Sequence, residues 1–561
     1  MITRNTSSAI VALPGCGLNP PQGCTWGHRS NDILISAFEV RTNATPTARG
    51  VWATAMNVDG GNQRGPIPLG GNNIISVVAP FDYSQRHPSA TWAGFLAQPH
   101  VLSLGVPGHA AIVGICGGTD LVFSDVCLAF TLDGGASWGG TFFVNPADKA
   151  GPIRDVAATV SYYETNAPAI WGSGPGDHNV YASWQARDNH HYIARVLFNW
   201  TAGVGLSLGM NLISDMNLRD VDSDVNIVGM HAPPNCGTPV DQVLAVWPNV
   251  PTDPTKCTPG NPARDPGNPL GSTAQFWKTK FANVWTSQNT AVWSAVTPSR
   301  TDSFWPFCVG NDGRFANSAR PSLAFIGEPN QPSSQWYTND VLMAVTVSAI
   351  GDPGYPGSGW VPPQPYVGTI VQYASYGMSV PPSCGGPAWV PGPPPPPPPP
   401  YTNPGDSGIP GQRQDEFLPS LSTTLNFGNG GPPSNYSAGL TWIDSRIDPA
   451  QSNMPCNITG RTLDKYPLGI GVGWSADNTF FGPAQQLMAA GCFDEDWTEN
   501  FGDRLGRYNE SPYQVPDWNF PMATIISSMG MGFSNGQNFL SQPIPNNPGP
   551  PPGIFTQTYR Q

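Results

Sequence analysis

Thr131-Leu132-Asp133-Gly134-Gly135-Ala136-Ser137-Trp138 is the stretch on which the fold turns, and it has the form Ser/Thr-x-Asp-x-Gly-x-x-Trp. Each fixed position has a mechanical reason. A carboxylate at Asp133 can bond the backbone of its own hairpin, Gly135 accepts a positive φ, and the Trp138 indole packs beneath the turn. The eight residues read as a self-bracing hairpin, a folding device. Two degenerate relatives follow. Thr286 to Trp293 carries Gln288 and Thr290 at the Asp and Gly positions, while Ser475-Ala476-Asp477-Asn478-Thr479 keeps the Asp and lacks the Trp.

Two further signals recur around these hairpins. One is an entry phrase with a Pro just before an alternating apolar segment: Gln98-Pro99-His100-Val101-Leu102, Arg320-Pro321-Ser322-Leu323-Ala324 and Leu418-Pro419-Ser420-Leu421-Ser422. At such a position the missing N–H of proline removes no ladder bond. The other is a period-two strand ending on Trp: Val180 to Trp184, Val243 to Trp247 and Ala438 to Trp442. Such a Trp is expected to bury between adjacent sheets.

The bulk numbers agree with many short strands. Gly and Pro number 64 each, charged residues make up only 11%, and there are 19 Trp. No amphipathic run free of Pro and Gly marks a long helix. The formal net charge of −13, with no Lys/Arg-rich stripe, disfavours nucleic acid as a partner. No run approaches the roughly 18 apolar residues that would span a bilayer, so no membrane span is expected. Met1 to Pro14 lacks a basic start followed by an apolar core. Secretion is therefore expected either by another route or with the numbering starting after processing.

The three signals together resemble the sialidase-like, BNR or Asp-box β-propeller superfamily, with matches spread over about residues 30 to 540. Trp442-Ile443-Asp444-Ser445-Arg446 and Gly502-Asp503-Arg504-Leu505-Gly506-Arg507-Tyr508 also resemble its strand-and-turn phrases. The resemblance implies an all-β, six-bladed propeller, with seven blades as the alternative and long Pro/Gly-rich insertions. Blades are expected to begin near residues 30, 98, 153, 222, 319 and 417. The expected organisation is an N-terminal extension over 1–29, a propeller over 30–540 and a Pro-rich tail over 541–561. A Pro-rich insertion at about 351–411 contains Pro393 to Pro400, a stiff polyproline II spacer.

Ten cysteines without a CxxC pair disfavour a zinc ribbon. Their spacing allows local bridges Cys16–Cys24, Cys116–Cys127 and Cys236–Cys257, which imply an oxidising compartment; free buried thiols are the competing reading. Asp220, Asp222 and Asp224 alternate as calcium ligands would, but the Gly and distal Glu of an EF-hand are missing and one exposed strand face gives the same pattern. Gly135-x-Ser137-x-Gly139 mimics a nucleophile elbow in the wrong context, a hairpin instead of a strand entering a helix. His190-His191 would point in opposite directions on a strand and so make a poor joint ligand pair.

For catalysis, the superfamily's chemistry implies an arginine cluster, a Tyr nucleophile assisted by Glu, and an acidic proton donor. The family's Arg-Ile/Leu-Pro phrase near the first blade is absent from this chain. Arg187-Asp188, Asp444 with Arg446, and Asp503-Arg504 are the candidates that different blades could bring to one mouth, with hairpin-bracing salt bridges as the competing account. The expected function is a non-catalytic propeller exposed at a cell, filament or virus-particle surface. It would recognise a glycan or protein, or self-assemble. The alternative is a sialidase-like exo-glycosidase acting at the central cleft.

Overall fold

A computed structural model describes residues 2–11, 33–41, 49–57, 63–69, 83–104, 108–118, 122–163, 176–188, 190–201, 205–215, 226–232, 240–248, 277–285, 291–294, 322–327, 338–348, 367–377, 416–427, 433–444, 462–471, 480–481, 485–489, 531–532 and 554–555. Those residues form an all-β chain of successive antiparallel meanders. The first sheet is β1 (Ile2–Val11), β2 (Ile33–Arg41), β3 (Arg49–Asn57) and β4 (Arg64–Pro68), in that order. The segment expected as an N-terminal extension thus supplies a strand, because Ala9 and Val11 alternate inward and are buried beside Ile33 and Ile35.

A short helix α1 (Tyr83–Arg86) leads into the second sheet: β5 (Gly94–Ser103), β6 (Ala110–Gly117), β7 (Ser124–Thr131) and β8 (Gly139–Phe143). The third sheet is β9 (Arg154–Tyr163), β10 (Gly176–Gln185), β11 (His191–Thr201) and β12 (Gly205–Asp215). The fourth is β13 (Asn226–Ala232), β14 (Val240–Pro248), β15 (Trp277–Trp285) and β16 (Ala291–Ser294). A short parallel contact between β9 and β13 joins these two. Then come β17 (Ser322–Gly327), β18 (Thr338–Ser348) and β19 (Val367–Gly377). The next meander holds β20 (Glu416–Phe427), β21 (Pro433–Asp444), β22 (Thr462–Gly471), β23 (Phe480–Phe481) and β24 (Gln485–Ala489), and a ribbon of β25 (Met531–Gly532) with β26 (Ile554–Phe555) follows.

The first strands of successive sheets lie side by side, β1 by β5, β5 by β9, β9 by β13, β13 by β17 and β17 by β20, while β25 lies by β1. The second sheet shows why its sequence is apolar at nearly every position. Phe95, Val101, Ala110, Ile112, Cys116, Cys127 and Ala129 join the layer shared with the first sheet. Leu96, Ala111, Val113, Ile115, Val126, Leu128 and Phe130 join the layer shared with the third, where Val180, Ala182 and Trp184 meet them. A sheet covered on both faces loses the in/out alternation and keeps only its β-branched and aromatic bias. A disulfide between Cys116 and Cys127 ties β6 to β7; the other two pairings expected from spacing lie outside the described residues.

The three sequence signals occupy fixed places in the meanders. The Pro entry phrases fall in or at the start of first strands β5, β17 and β20, and the strands ending on Trp are the second strands β10, β14 and β21. All three hairpin phrases fall between a third and a fourth strand: β7 and β8, β15 and β16, β22 and β23. Four first strands, β1, β5, β9 and β20, also share a bulge, in which three residue steps oppose two on the neighbour. The shifts lie between Arg4 and Ser7, Ala97 and His100, Arg154 and Ala157, and Phe417 and Ser420. Pro99 and Pro419 sit inside two of them, where an N–H is not required by the ladder.

Candidate functional site

The Thr131–Trp138 hairpin is built as its residue types dictate. The Thr131 hydroxyl donates to Asp133 Oδ1 at 2.8 Å and accepts from the N–H of Gly135 at 2.8 Å. Asp133 Oδ1 accepts from the Ser137 N–H at 2.9 Å, and Oδ2 from the Ser137 hydroxyl at 2.6 Å. Burial raises the Asp133 carboxyl, but these bonds from Ser137 and Thr131, with the Ala136 N–H, outweigh it and hold the group below its ordinary value. Gly134 and Gly135 stand at φ 68° and 82°. A Cβ on Gly134 would collide with Ile33 Cδ1, and one on Gly135 would stand 2.9 Å from the Ala55 Cβ. The turn therefore presses on the preceding sheet, where Arg64 Nη1 donates to the Asp133 carbonyl at 3.4 Å. Trp138 is buried in the same layer. Ser137 is spent on Asp133, which is the opposite of a free nucleophile.

A second cluster surrounds Asp125, fully buried at the start of β7. Its Oδ1 faces Arg86 Nε at 3.1 Å and accepts from Asn145 Nδ2 at 3.0 Å, and its Oδ2 lies 2.6 Å from His87 Nε2. Arg86 also donates to the Asn145 carbonyl and lies 4.1 Å over the Phe143 ring. Burial lowers the Arg86 guanidinium from its ordinary value, opposed by the charges of Asp125 and Asp148. The Tyr83 hydroxyl donates to the Phe123 carbonyl at 2.8 Å, so the connection through α1 is pinned across one end of the second sheet. Nothing local in the sequence marks this cluster: Arg86 and His87 lie nearly 40 residues from Asp125, and no spacing rule relates them.

A third cluster contains two candidates named from sequence. Arg187 and Asp188 form the turn between β10 and β11, both exposed. Asp188 Oδ2 accepts from the Tyr192 hydroxyl at 2.6 Å and Oδ1 from the His190 N–H at 3.1 Å. Burial raises the Asp188 carboxyl, yet the Tyr192 and His190 bonds and the charges of His190 and Lys149 prevail and lower it. Tyr192 is pushed up to about 12, first by burial and then by its bond to Asp188. Lys149 stands 5.0 Å from the Tyr192 ring, its ammonium held above the ordinary value first by a hydrogen bond with Tyr192. The third sheet's turn is thereby fastened to the 3-10 turn Ala147–Lys149 that leaves the second. His190 stacks on Tyr192 and His191 is buried, so the two histidines do separate.

Asp444 ends β21, the second strand of its meander, as Asp188 follows the second strand of the third. Arg446, Asp503, Arg504, Ser475, Asp477 and the candidate calcium ligands Asp220, Asp222 and Asp224 lie outside the described residues. Among the described residues, no group of three or more His, Cys, Asp or Glu is arranged to hold a metal ion. No described helix is long and apolar enough to cross a membrane.

No protein-family model matches the chain, and no curated protein matches it. Solved structures do resemble it at low identity. A mutant of AofleA from Arthrobotrys oligospora, with three arginines replaced by alanine, is 8% identical, covering 87% of this chain and 88% of its own at a TM-score of 0.33. The hemagglutinin-neuraminidase ectodomain of parainfluenza virus 5 is 9% identical over 87% and 89%, at a TM-score of 0.31. The GH93 α-L-arabinofuranosidase of Fusarium graminearum, in complex with arabinobiose, is 8% identical over 100% and 93%, at a TM-score of 0.30.

Proposed function

We propose that the chain is a sialidase-like β-propeller of six blades that acts as a non-catalytic recognition protein, taking a glycan or protein at a cell, filament or virus-particle surface. The observation that carries the fold half of this reading is the run of meanders whose first strands adjoin in chain order, with β25 beside β1. Radial repetition of small sheets around a ring leaves only short, protected edges. Seven blades is the count if the β25–β26 ribbon, a separate two-stranded sheet, is part of a further blade. The placement of all three hairpin phrases between third and fourth strands supports the Asp-box assignment.

The non-catalytic half is supported by how three of the described carboxylates are used. Asp125 pairs with the part-buried Arg86 guanidinium, Asp133 braces its own hairpin, and Asp188 holds Tyr192. A glycosidase needs two carboxyl groups about 5 to 10 Å apart, or a Tyr with Glu and several Arg, facing one substrate. The Cys116–Cys127 disulfide supports an oxidising, extracellular setting.

A glycan array and a hydrolysis screen on the same purified protein test this reading. Binding without turnover is the expected result. Release of sugar from a sialoside or another glycoside, scaling with protein and abolished by Asp188→Asn, Asp444→Asn or Asp503→Asn, would establish the exo-glycosidase alternative instead. A blank array would restrict recognition to protein partners.

A further inference from the structure

At two first strands, β5 and β9, a backbone group is bonded by a side chain of the preceding sheet. In β9, Arg154 pairs with Gln185 and Ala157 with Ser183, so positions 155 and 156 together oppose the single position 184 of β10, and Val156 lies in the bulge. Its N–H donates to Gln98 Oε1 at 2.8 Å, and its carbonyl lies 2.9 Å from His100 Nε2. A carbonyl only accepts, so His100 Nε2 carries the proton. One strand earlier, the N–H of Val101 in β5 donates to the Ser7 hydroxyl of β1 at 2.7 Å. Ser7, Gln98, His100, Val101 and Val156 are all buried, where an unmet backbone group is costly.

We propose that neighbouring sheets are coupled through these side-chain bridges, each sheet holding the backbone of the next in chain order. Ser7 and His100 occupy the same position, the residue that resumes pairing after the bulge. Gln98 lies within the bulge at φ 50°, in the left-handed region that L side chains rarely adopt. Only that backbone turn lets its amide reach across to β9, and the bond to Val156 in return holds Gln98 there. Sheet-to-sheet register is thus passed along by polar side chains at the bulges, with the apolar layers supplying adhesion that does not depend on register. The device needs only the adjacency of β1, β5 and β9, so it stands independently of ring closure and of what the protein binds.

Amide hydrogen exchange on the full-length protein, read by mass spectrometry over peptides of β5, β9, β10 and β11, tests it. Gln98→Met keeps side-chain length without the acceptor, whereas Gln98→Glu keeps an acceptor. The Met variant should speed exchange at Val156 by on the order of fivefold to tenfold, with β10 and β11 unchanged. The Glu variant should leave Val156 near the native rate. Ser7→Ala should accelerate Val101 and spare Val156. Native protection of Val156 in the Met variant, equal loss in the Glu variant, or equal loss at Val156 after Ser7→Ala each overturns the proposal. Should the Met variant fail to fold, Gln98→Asn tolerates the left-handed backbone but falls a methylene short. Faster exchange at Val156 there supports the bridge, and unchanged protection refutes it.

Discussion

Replacing Trp138 by Ala removes an indole that is 5% exposed and belongs to the layer between the first two sheets, together with Ile33, Ile35 and Ala55 on one side and Phe95, Cys127 and Ala129 on the other. A buried Trp withdraws about 200 Å² from water. At about 25 cal/mol per Å² that is about 5 kcal/mol. The Ala methyl retains a little of it and the hairpin settles partly into the void, so a loss of about 3–5 kcal/mol is expected. The measurement is urea unfolding followed by far-ultraviolet circular dichroism, comparing midpoints at a common slope. Ser137→Ala is the matched control. It deletes one hydroxyl bond to Asp133 from the same turn and should cost only about 1 kcal/mol. A Trp138→Ala loss below about 1 kcal/mol, with the slope unchanged, would mean that the hairpin does not pin the two sheets together.

Asp125→Ala leaves the part-buried Arg86 and His87 without their carboxylate partner and should destabilise by about 2–3 kcal/mol in the same unfolding assay, more than Asp125→Asn. His109 is pushed down from 6.5 to about 4 by burial. A base whose folded value is depressed contributes stability above its unfolded value and loses it as pH falls, so the losses belong to the window from about pH 6.5 to 4 and amount to about 3 kcal/mol in all. His109→Gln should flatten the fall of the unfolding midpoint in that window. Tyr192 has the reverse sign. The folded state favours its neutral form, and that stability is lost as pH rises from 10 to about 12. Spectroscopic titration of the phenolates should show a late-ionising component that is lost in Tyr192→Phe.

Legibility in the sequence followed the range of the interactions. The hairpin of Thr131, Asp133, Gly135 and Trp138 was readable because its bonds span four residues or fewer. The third-sheet turn was half readable. Arg187 and Asp188 stood out as a charged pair, but Asp188 serves Tyr192, and Lys149 arrives from another sheet. The cluster at Asp125 was invisible, because nothing in the chemistry of isolated residues says that Arg86 will lie over Phe143 and against Asp125.

By itself the sequence determined the strand-rich class, the Pro phrases in three first strands, the second-strand Trp and the braced hairpin. All of these are consequences of backbone propensity and of contacts within one turn. Sheet starts at Gly94, Arg154, Asn226, Ser322 and Glu416 lie within a few residues of 98, 153, 222, 319 and 417, whereas the first sheet starts at Ile2 and not near 30. Only the tertiary structure decided that Ile2–Val11 joins the first sheet, that Gln98 and His100 hold Val156, and that Asp125 anchors the α1 connection. Those bonds join residues 38 to 58 positions apart or pair strands across a long connection. They exist only once apolar layers have brought the sheets face to face, because a polar group finds a distant partner after burial has made water unavailable to it.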